Sequence, residues 1–176
     1  MLTRITQPRN VASARIRGIE LSYIQNNLGV FLPRLEGFGL STNFTYFDGE
    51  SDVVGNDAVV LRRIDQLVQQ PNTVLNAAVF YKRGPIETRL TYAHASSVPS
   101  AVSTAADAFT DREDEAFFQV DWTGRLRLND RFQLTAEVRN LTNETKGNVQ
   151  TTQVGDALRD YSTYGRTAFV GVAFKY

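Results

Sequence analysis

Apolar and polar residues alternate along most of this chain. Residues 37–47 put Phe38, Leu40, Thr42, Phe44 and Tyr46 on one side and Gly39, Ser41, Asn43 and Thr45 on the other. Residues 85–94 divide the same way, with Ile86, Thr88, Leu90 and Tyr92 against Glu87, Arg89 and Thr91. Residues 118–128 set Phe118, Val120, Trp122, Leu126 and Leu128 against Gln119, Asp121, Thr123, Arg125 and Arg127. Residues 132–139 set Phe132, Leu134, Ala136 and Val138 against Gln133, Thr135, Glu137 and Arg139. The chain end aligns Ala168, Val170, Val172, Phe174 and Tyr176. A period of two marks β-strands with two different faces. Two less regular stretches, 12–25 and 72–82, bring the set to about seven strands. The expected fold is all-β, an antiparallel up-and-down meander.

The connections alternate in length. Asn129-Asp130 and Arg83-Gly84-Pro85 read as tight hairpin turns, and 26–36 is of short to medium length. Between them lie three long connections, 48–71, 95–112 and 142–160. Short turns at one end and long loops at the other are the plan of an outer-membrane barrel, whose strands of about 10 residues cross the bilayer at a tilt. The expectation is therefore a piece of a larger transmembrane β-barrel.

The charged positions decide how such a barrel would face. Glu87, Arg89, Asp121, Arg125, Arg127, Glu137 and Arg139 all stand at strand positions on the polar side. Inside a small dry barrel each would cost several kcal/mol unless paired. In a wide barrel they face water or an internal plug, so they are expected to line the lumen while the aliphatic side meets outer-membrane lipid. The competing reading is a soluble sheet with an ordinary solvent face.

Composition narrows the chemistry. Lys plus Arg is 19 and Asp plus Glu is 19, which leaves no basic field for nucleic acid. There is no cysteine and a single histidine, His94, which excludes thiolate zinc sites, cysteine nucleophiles and multi-histidine metal centres. No Gly-x-Ser-x-Gly elbow or phosphate-binding glycine loop occurs. No catalytic residue, cofactor site or metal site is expected, and the chain is not read as an enzyme. The apolar run at Phe169 to Phe174 is far shorter than the about 20 residues of a membrane-spanning helix. The N-terminus lacks the apolar stretch of a secretory signal, so the expectation is a chain whose front part is missing.

The long connections carry their own candidates. Val60, Leu61, Ile64, Leu67 and Val68 have helical spacing, which predicts a short amphipathic helix or else a loop packed on its neighbours. Asp111, Glu113, Asp114 and Glu115 read as a solvated charge run rather than a calcium site. Asn143, Asn148, Gln150, Gln153 and Asp156 suit hydrogen bonding to sugars or chelates, and equally suit any wet loop. His94 is expected to be structural or solvent-facing. The Asn-x-Thr matches at Asn43, Asn140 and Asn143 carry no expectation of glycosylation.

Three segments resemble a known family. Arg17-Gly18-Ile19-Glu20-Leu21-Ser22-Tyr23 resembles a Gly-hydrophobe-Glu strand in the C-terminal half of TonB-dependent receptor barrels. Val138-Arg139-Asn140-Leu141-Thr142-Asn143 is similar to that family's Asn-Leu-Thr-Asn motif atop the penultimate strand, and Tyr164-Gly165-Arg166 to the start of its last strand. The resemblance implies that Val170, Val172, Phe174 and Tyr176 form the signal read by the barrel-assembly machinery. It implies a barrel of 22 strands enclosing an N-terminal plug. Residues 1–176 would be its C-terminal part, with plug and earlier strands absent. Function would be active uptake of a scarce solute, such as a ferric siderophore, a corrinoid or an oligosaccharide, with the TonB energy-coupling complex engaged only through the missing N-terminal part. The alternatives are a self-contained eight-stranded outer-membrane barrel with a structural or adhesive role, closed with help from the first ten residues, and a soluble barrel for a small apolar ligand. The charged inward positions argue against the last.

Overall fold

The computed structural model describes residues 13–55 and 59–175. Within them run β1 (Ala14–Gln25), β2 (Phe38–Val54), β3 (Val60–Ile64), β4 (Thr73–Arg83), β5 (Ile86–Ala95) and β6 (Val98–Ala101). There follow β7 (Arg112–Asp114), β8 (Phe117–Arg127), β9 (Phe132–Arg139), β10 (Thr145–Thr152), β11 (Gly155–Thr163) and β12 (Thr167–Phe174). Two 3-10 turns, Leu28–Val30 and Pro33–Leu35, lie between β1 and β2. No α-helix forms among the described residues.

The main sheet runs β1-β2-β4-β5-β8-β9-β12, every neighbouring pair antiparallel and in chain order. This is the meander of seven long strands that the alternation predicts. β1 and β12 are each paired on one side only, so the described sheet is open. The first ten residues, which would help close a small eight-stranded barrel, lie outside the described residues.

Turn chemistry fixes the short connections. Gly84 adopts a φ of 56°, a left-handed conformation that glycine takes without strain. Asn129 Oδ1 accepts from the N–H groups of Arg131 and Phe132, each at 2.9 Å, which replaces backbone partners lost at the bend. A one-residue change in either turn would flip every following side chain to the opposite face.

Three expectations are corrected above the main sheet. Residues 60–64 form strand β3, not a helix. The cause lies in β2, whose pairing with β4 stops at Tyr46 opposite Thr73 while β2 runs on to Val54. The backbone groups left open there need partners. The stretch 60–64 supplies them, pairing Ser51 with Ile64 and Val53 with Arg62. Leu67, the next apolar residue of the expected helix, packs against Gly49. The other two long connections are not irregular loops either. They form a second sheet of four strands, ordered β11-β10-β7-β6, in which β10 and β11 make a hairpin between β9 and β12.

The main sheet has no core of its own. Among the described residues only Val53 and Ala78 are buried apolar side chains. Leu21 is 61 % exposed, Val170 84 % and Val172 65 %. A sheet this apolar on one side and this bare is built to be covered by something other than itself.

Candidate functional site

Directly paired residues of a sheet share a face, so the register sorts every side chain. Glu87 stands opposite Arg125, Arg89 opposite Thr123, and Thr123 opposite Glu137. Thr91 stands opposite Asp121, Arg127 opposite Gln133, and Arg139 opposite Thr167. All of Glu87, Arg89, Asp121, Arg125, Arg127, Glu137 and Arg139 therefore lie on one face. Val170, Val172 and Phe174 lie on the other, opposite Ala136, Leu134 and Phe132. Tyr176 lies outside the described residues.

The polar face is a ladder of charge pairs and flattened rings. Glu87 sits between Lys82, at 3.9 Å, and Arg125, at 3.4 Å, across three strands. These ions are largely exposed, so each pair is worth about 1 kcal/mol or less. Arg139 donates a short hydrogen bond to Glu137, and its guanidinium lies over the Phe169 ring at 5.6 Å. Arg89 lies over Phe80 at 5.7 Å. Phe80 can lie flat because its partner across β2 is Gly39, where a Cβ would come within 2.2 Å of the ring. At the short-turn end this face curves into a hollow of about 610 Å³, bordered by Asn26, Asn27, Glu36, Lys82, Glu87 and Arg89, among others.

The opposite face has three zones. At the short-turn end aromatic rings pair across strands, Phe38 with Tyr81 at 4.7 Å and Phe132 with Phe174 at 5.0 Å. Aliphatic residues follow, including Leu40, Val79, Leu90, Leu134 and Val172. Rings return at the far end with Tyr46, Tyr92 and Phe118; His94 joins them, stacked with Tyr92 at 6.4 Å. Beyond Tyr46 and Ile19 the face turns abruptly charged. Arg17 meets Asp48 at 3.3 Å, and Arg15 stands opposite Glu50. Farther on, Asp52 accepts from Ser13 Oγ at 2.5 Å and from Arg63 Nε at 2.9 Å, which together hold its carboxyl below the usual range.

The long connections are held by polar bonds, several of them half-buried. Arg62 and Asp111 form an ion pair at 2.6 Å with side chains only 16 % and 19 % exposed. Asp111 also accepts from the Ser103 N–H at 2.6 Å. The expectation that Asp111 belongs to a solvated charge run is thus corrected. Its carboxylate ties the β2–β4 connection to the β5–β8 connection. Asp114 is engaged as well, accepting from Asn148 Nδ2 at 2.6 Å. That spends Asn148 within the fold, while Asp156 accepts from Thr151 Oγ1 at 2.9 Å.

A family model described as "TonB dependent receptor-like, beta-barrel" matches residues 2–141, most of the chain. The chain belongs to the TonB-dependent receptor β-barrel family. It is similar in structure to the siderophore receptor PiuA from Acinetobacter baumannii, with a TM-score of 0.60 and 17 % sequence identity. That match covers 94 % of this chain and 22 % of PiuA, and at this identity it concerns the fold alone. No curated protein matches the chain.

The receptor-barrel motif atop β9 acquires a physical reason. Asn140 and Asn143 both adopt left-handed backbone, φ 55° and 56°, which asparagine tolerates better than most residues. Asn140 is 7 % exposed. Its Nδ2 donates to the carbonyls of Glu144 and Gly165, both at 3.0 Å, and its Oδ1 accepts from the Glu144 N–H at 2.8 Å. Its own N–H donates to Asp121 at 2.8 Å. Arg166 Nε donates to the Leu141 carbonyl at 2.9 Å. The motif thus clamps the end of β9 to the start of β12. Reading residues by face alone missed this clamp and the Arg62–Asp111 pair. The Asn-x-x-Asn spacing carried a signal for the first; nothing local in the sequence signals the second.

Proposed function

We infer that this sheet is one wall of a transmembrane barrel in the outer membrane of a Gram-negative bacterium. Residues 1–176 are then the C-terminal part of a receptor for active uptake of a scarce solute. The aliphatic zone between two rows of aromatic rings supports this reading best. Phe38 and Tyr46 are eight residues apart on β2, about 27 Å at about 3.4 Å per residue. At a strand tilt of 35–45° the height is about 20 Å, near the roughly 25 Å apolar band of such barrels. The charged residues at Arg17 and Asp48 then mark where the chain leaves the lipid.

On this reading Glu87, Arg89, Asp121, Arg125, Arg127, Glu137 and Arg139 face the lumen, where water and an internal plug satisfy them. The upper sheet stands outside the cell and helps gather solute. Val170, Val172, Phe174 and Tyr176 serve the barrel-assembly machinery as the terminal alternating strand. Energy coupling through TonB belongs to parts of the receptor outside these residues. The chain carries no catalytic role. Ferric siderophores, corrinoids and oligosaccharides are the solute classes to compare.

The test is uptake. A strain lacking the receptor, and the same strain complemented, would be given each solute class in labelled form, with and without a protonophore. The reading expects one class to enter only in the complemented strain and only in energised cells. Receptor present in outer-membrane fractions without any such difference would contradict it.

A further inference from the structure

The connection between β1 and β2 does not match its neighbours. At the same end of the sheet the β4–β5 and β8–β9 turns are tight and polar, Arg83-Gly84-Pro85 and Asn129-Asp130. The β1–β2 connection, 26–36, instead presents Val30, Phe31 and Leu32 in succession, 67 %, 65 % and 58 % exposed. Three adjacent bare apolar residues at one turn call for a cover.

Much of the backbone of this connection bonds within the connection itself. Asn27 Oδ1 accepts from the Gly29 N–H at 2.8 Å. Phe31 and Leu32 N–H groups both donate to the Leu28 carbonyl, at 3.0 and 3.1 Å. Pro33 has no N–H, and those of Leu35 and Glu36 donate to Leu32 and Pro33 carbonyls at 2.8 and 3.2 Å. Five N–H groups of the connection, those of Gly29, Phe31, Leu32, Leu35 and Glu36, are thus paired within it, which lowers the cost of leaving water. Asn26, Asn27 and Glu36 border the hollow on the charged face, whereas Val30, Phe31, Leu32 and, after them, Arg34 do not. The strands entering and leaving the connection carry Tyr23 and the Phe38–Tyr81 ring pair on the apolar face, with Gln25 between Tyr23 and the tip.

We propose that 26–36 is an interfacial anchor, with Val30, Phe31 and Leu32 seated among the lipid acyl chains just below the head groups at the short-turn end. This rests on the barrel-wall reading. Apolar side chains at that depth, with polar groups held toward water, give the same division of contacts as an amphipathic segment lying in a membrane interface. The anchor fixes the height of β1 and β2 in the bilayer while the tight turns stay in water.

The test places single cysteines at Phe31, Leu32, Leu126 and Asp130 of the receptor, labels them with a polarity-sensitive fluorophore, and reconstitutes each in vesicles of phosphatidylcholine brominated on the acyl chains. The proposal expects blue-shifted emission and bromine quenching at 31 and 32, as at 126, with iodide quenching only at 130. Quenching by bromine at 126 but by iodide at 31 and 32 overturns the anchor and leaves the wall reading intact. Shielding of 31 and 32 from both quenchers also overturns it, and shows a protein segment as the cover. Escape of 126 itself from bromine quenching overturns the wall reading and the anchor with it.

Discussion

The two sheets of this molecule are built on different physics. In the main sheet each strand has one apolar and one charged face, and position in the alternation settles the side chain: Leu134 and Val138 on one face, Gln133, Glu137 and Arg139 on the other. In the upper sheet the alternation disappears. β11 is exposed along its whole length. What holds that region is a few specific bonds, Arg62–Asp111 and Asn148–Asp114 among them. A sheet with two unlike faces is specified by pattern and tolerates exchange within a class. A sheet without such alternation is specified by named partners and does not.

The largest expected effect breaks the pattern where it matters. Leu134→Arg should cost about 2–4 kcal/mol if it stands near the bilayer midplane. Gln133→Arg, one residue away, should be nearly silent. Unfolding of the receptor in lipid vesicles reads both, and equal effects would remove the distinction between the faces.

Next comes the upper sheet. Asp111→Ala leaves the half-buried Arg62 guanidinium without its carboxylate, at a cost of about 1–3 kcal/mol. The loss should be local. Hydrogen exchange should quicken in β3 and 102–114 while β8 and β9 keep their protection. Uniform change across both sheets would show that they stand or fall together.

The clamp atop β9 allows a finer division. Asn140→Gly keeps the left-handed backbone and loses three side-chain bonds; Asn140→Ala loses the bonds and adds about 1–2 kcal/mol of strain. The alanine variant should be less stable than the glycine variant by roughly that difference. Equal stability would mean the side-chain bonds, not the conformation, make Asn140 necessary.

The smallest effect is expected on the charged face. Glu87→Ala removes partners of both Lys82 and Arg125, yet all three are well exposed. A change of about 1 kcal/mol or less is expected, shrinking further in high salt. A larger loss would show that the ladder is drier than its exposure indicates.

What could be read from the sequence follows the same division. The seven long strands, their order and the sorting of Leu40, Phe44, Leu90 and Val120 from Arg89, Asp121 and Arg125 were legible because a strand with two unlike faces carries a period of two. β3 was not legible, because its helical spacing is an accident of Val60, Leu61 and Ile64, and its real cause is the open edge of β2 above Tyr46. The pairing of β10 with β7 was invisible for a related reason: its partners are distant in sequence and its strands carry no alternation. Asn140 stood within a recognised motif, yet its task as a clamp emerges only when Asp121, Glu144 and Gly165 are brought around it.

The central claim is that the two faces of the main sheet meet different solvents. Nitroxide labels placed one at a time along β9, residues 132–139, test it directly in the reconstituted receptor, and the chain has no cysteine of its own to interfere. Collision with dissolved oxygen, which concentrates in lipid, should be high at Phe132, Leu134, Ala136 and Val138 and low at Gln133, Thr135, Glu137 and Arg139. A flat profile, or the opposite phase, would contradict the assignment of the apolar face to lipid.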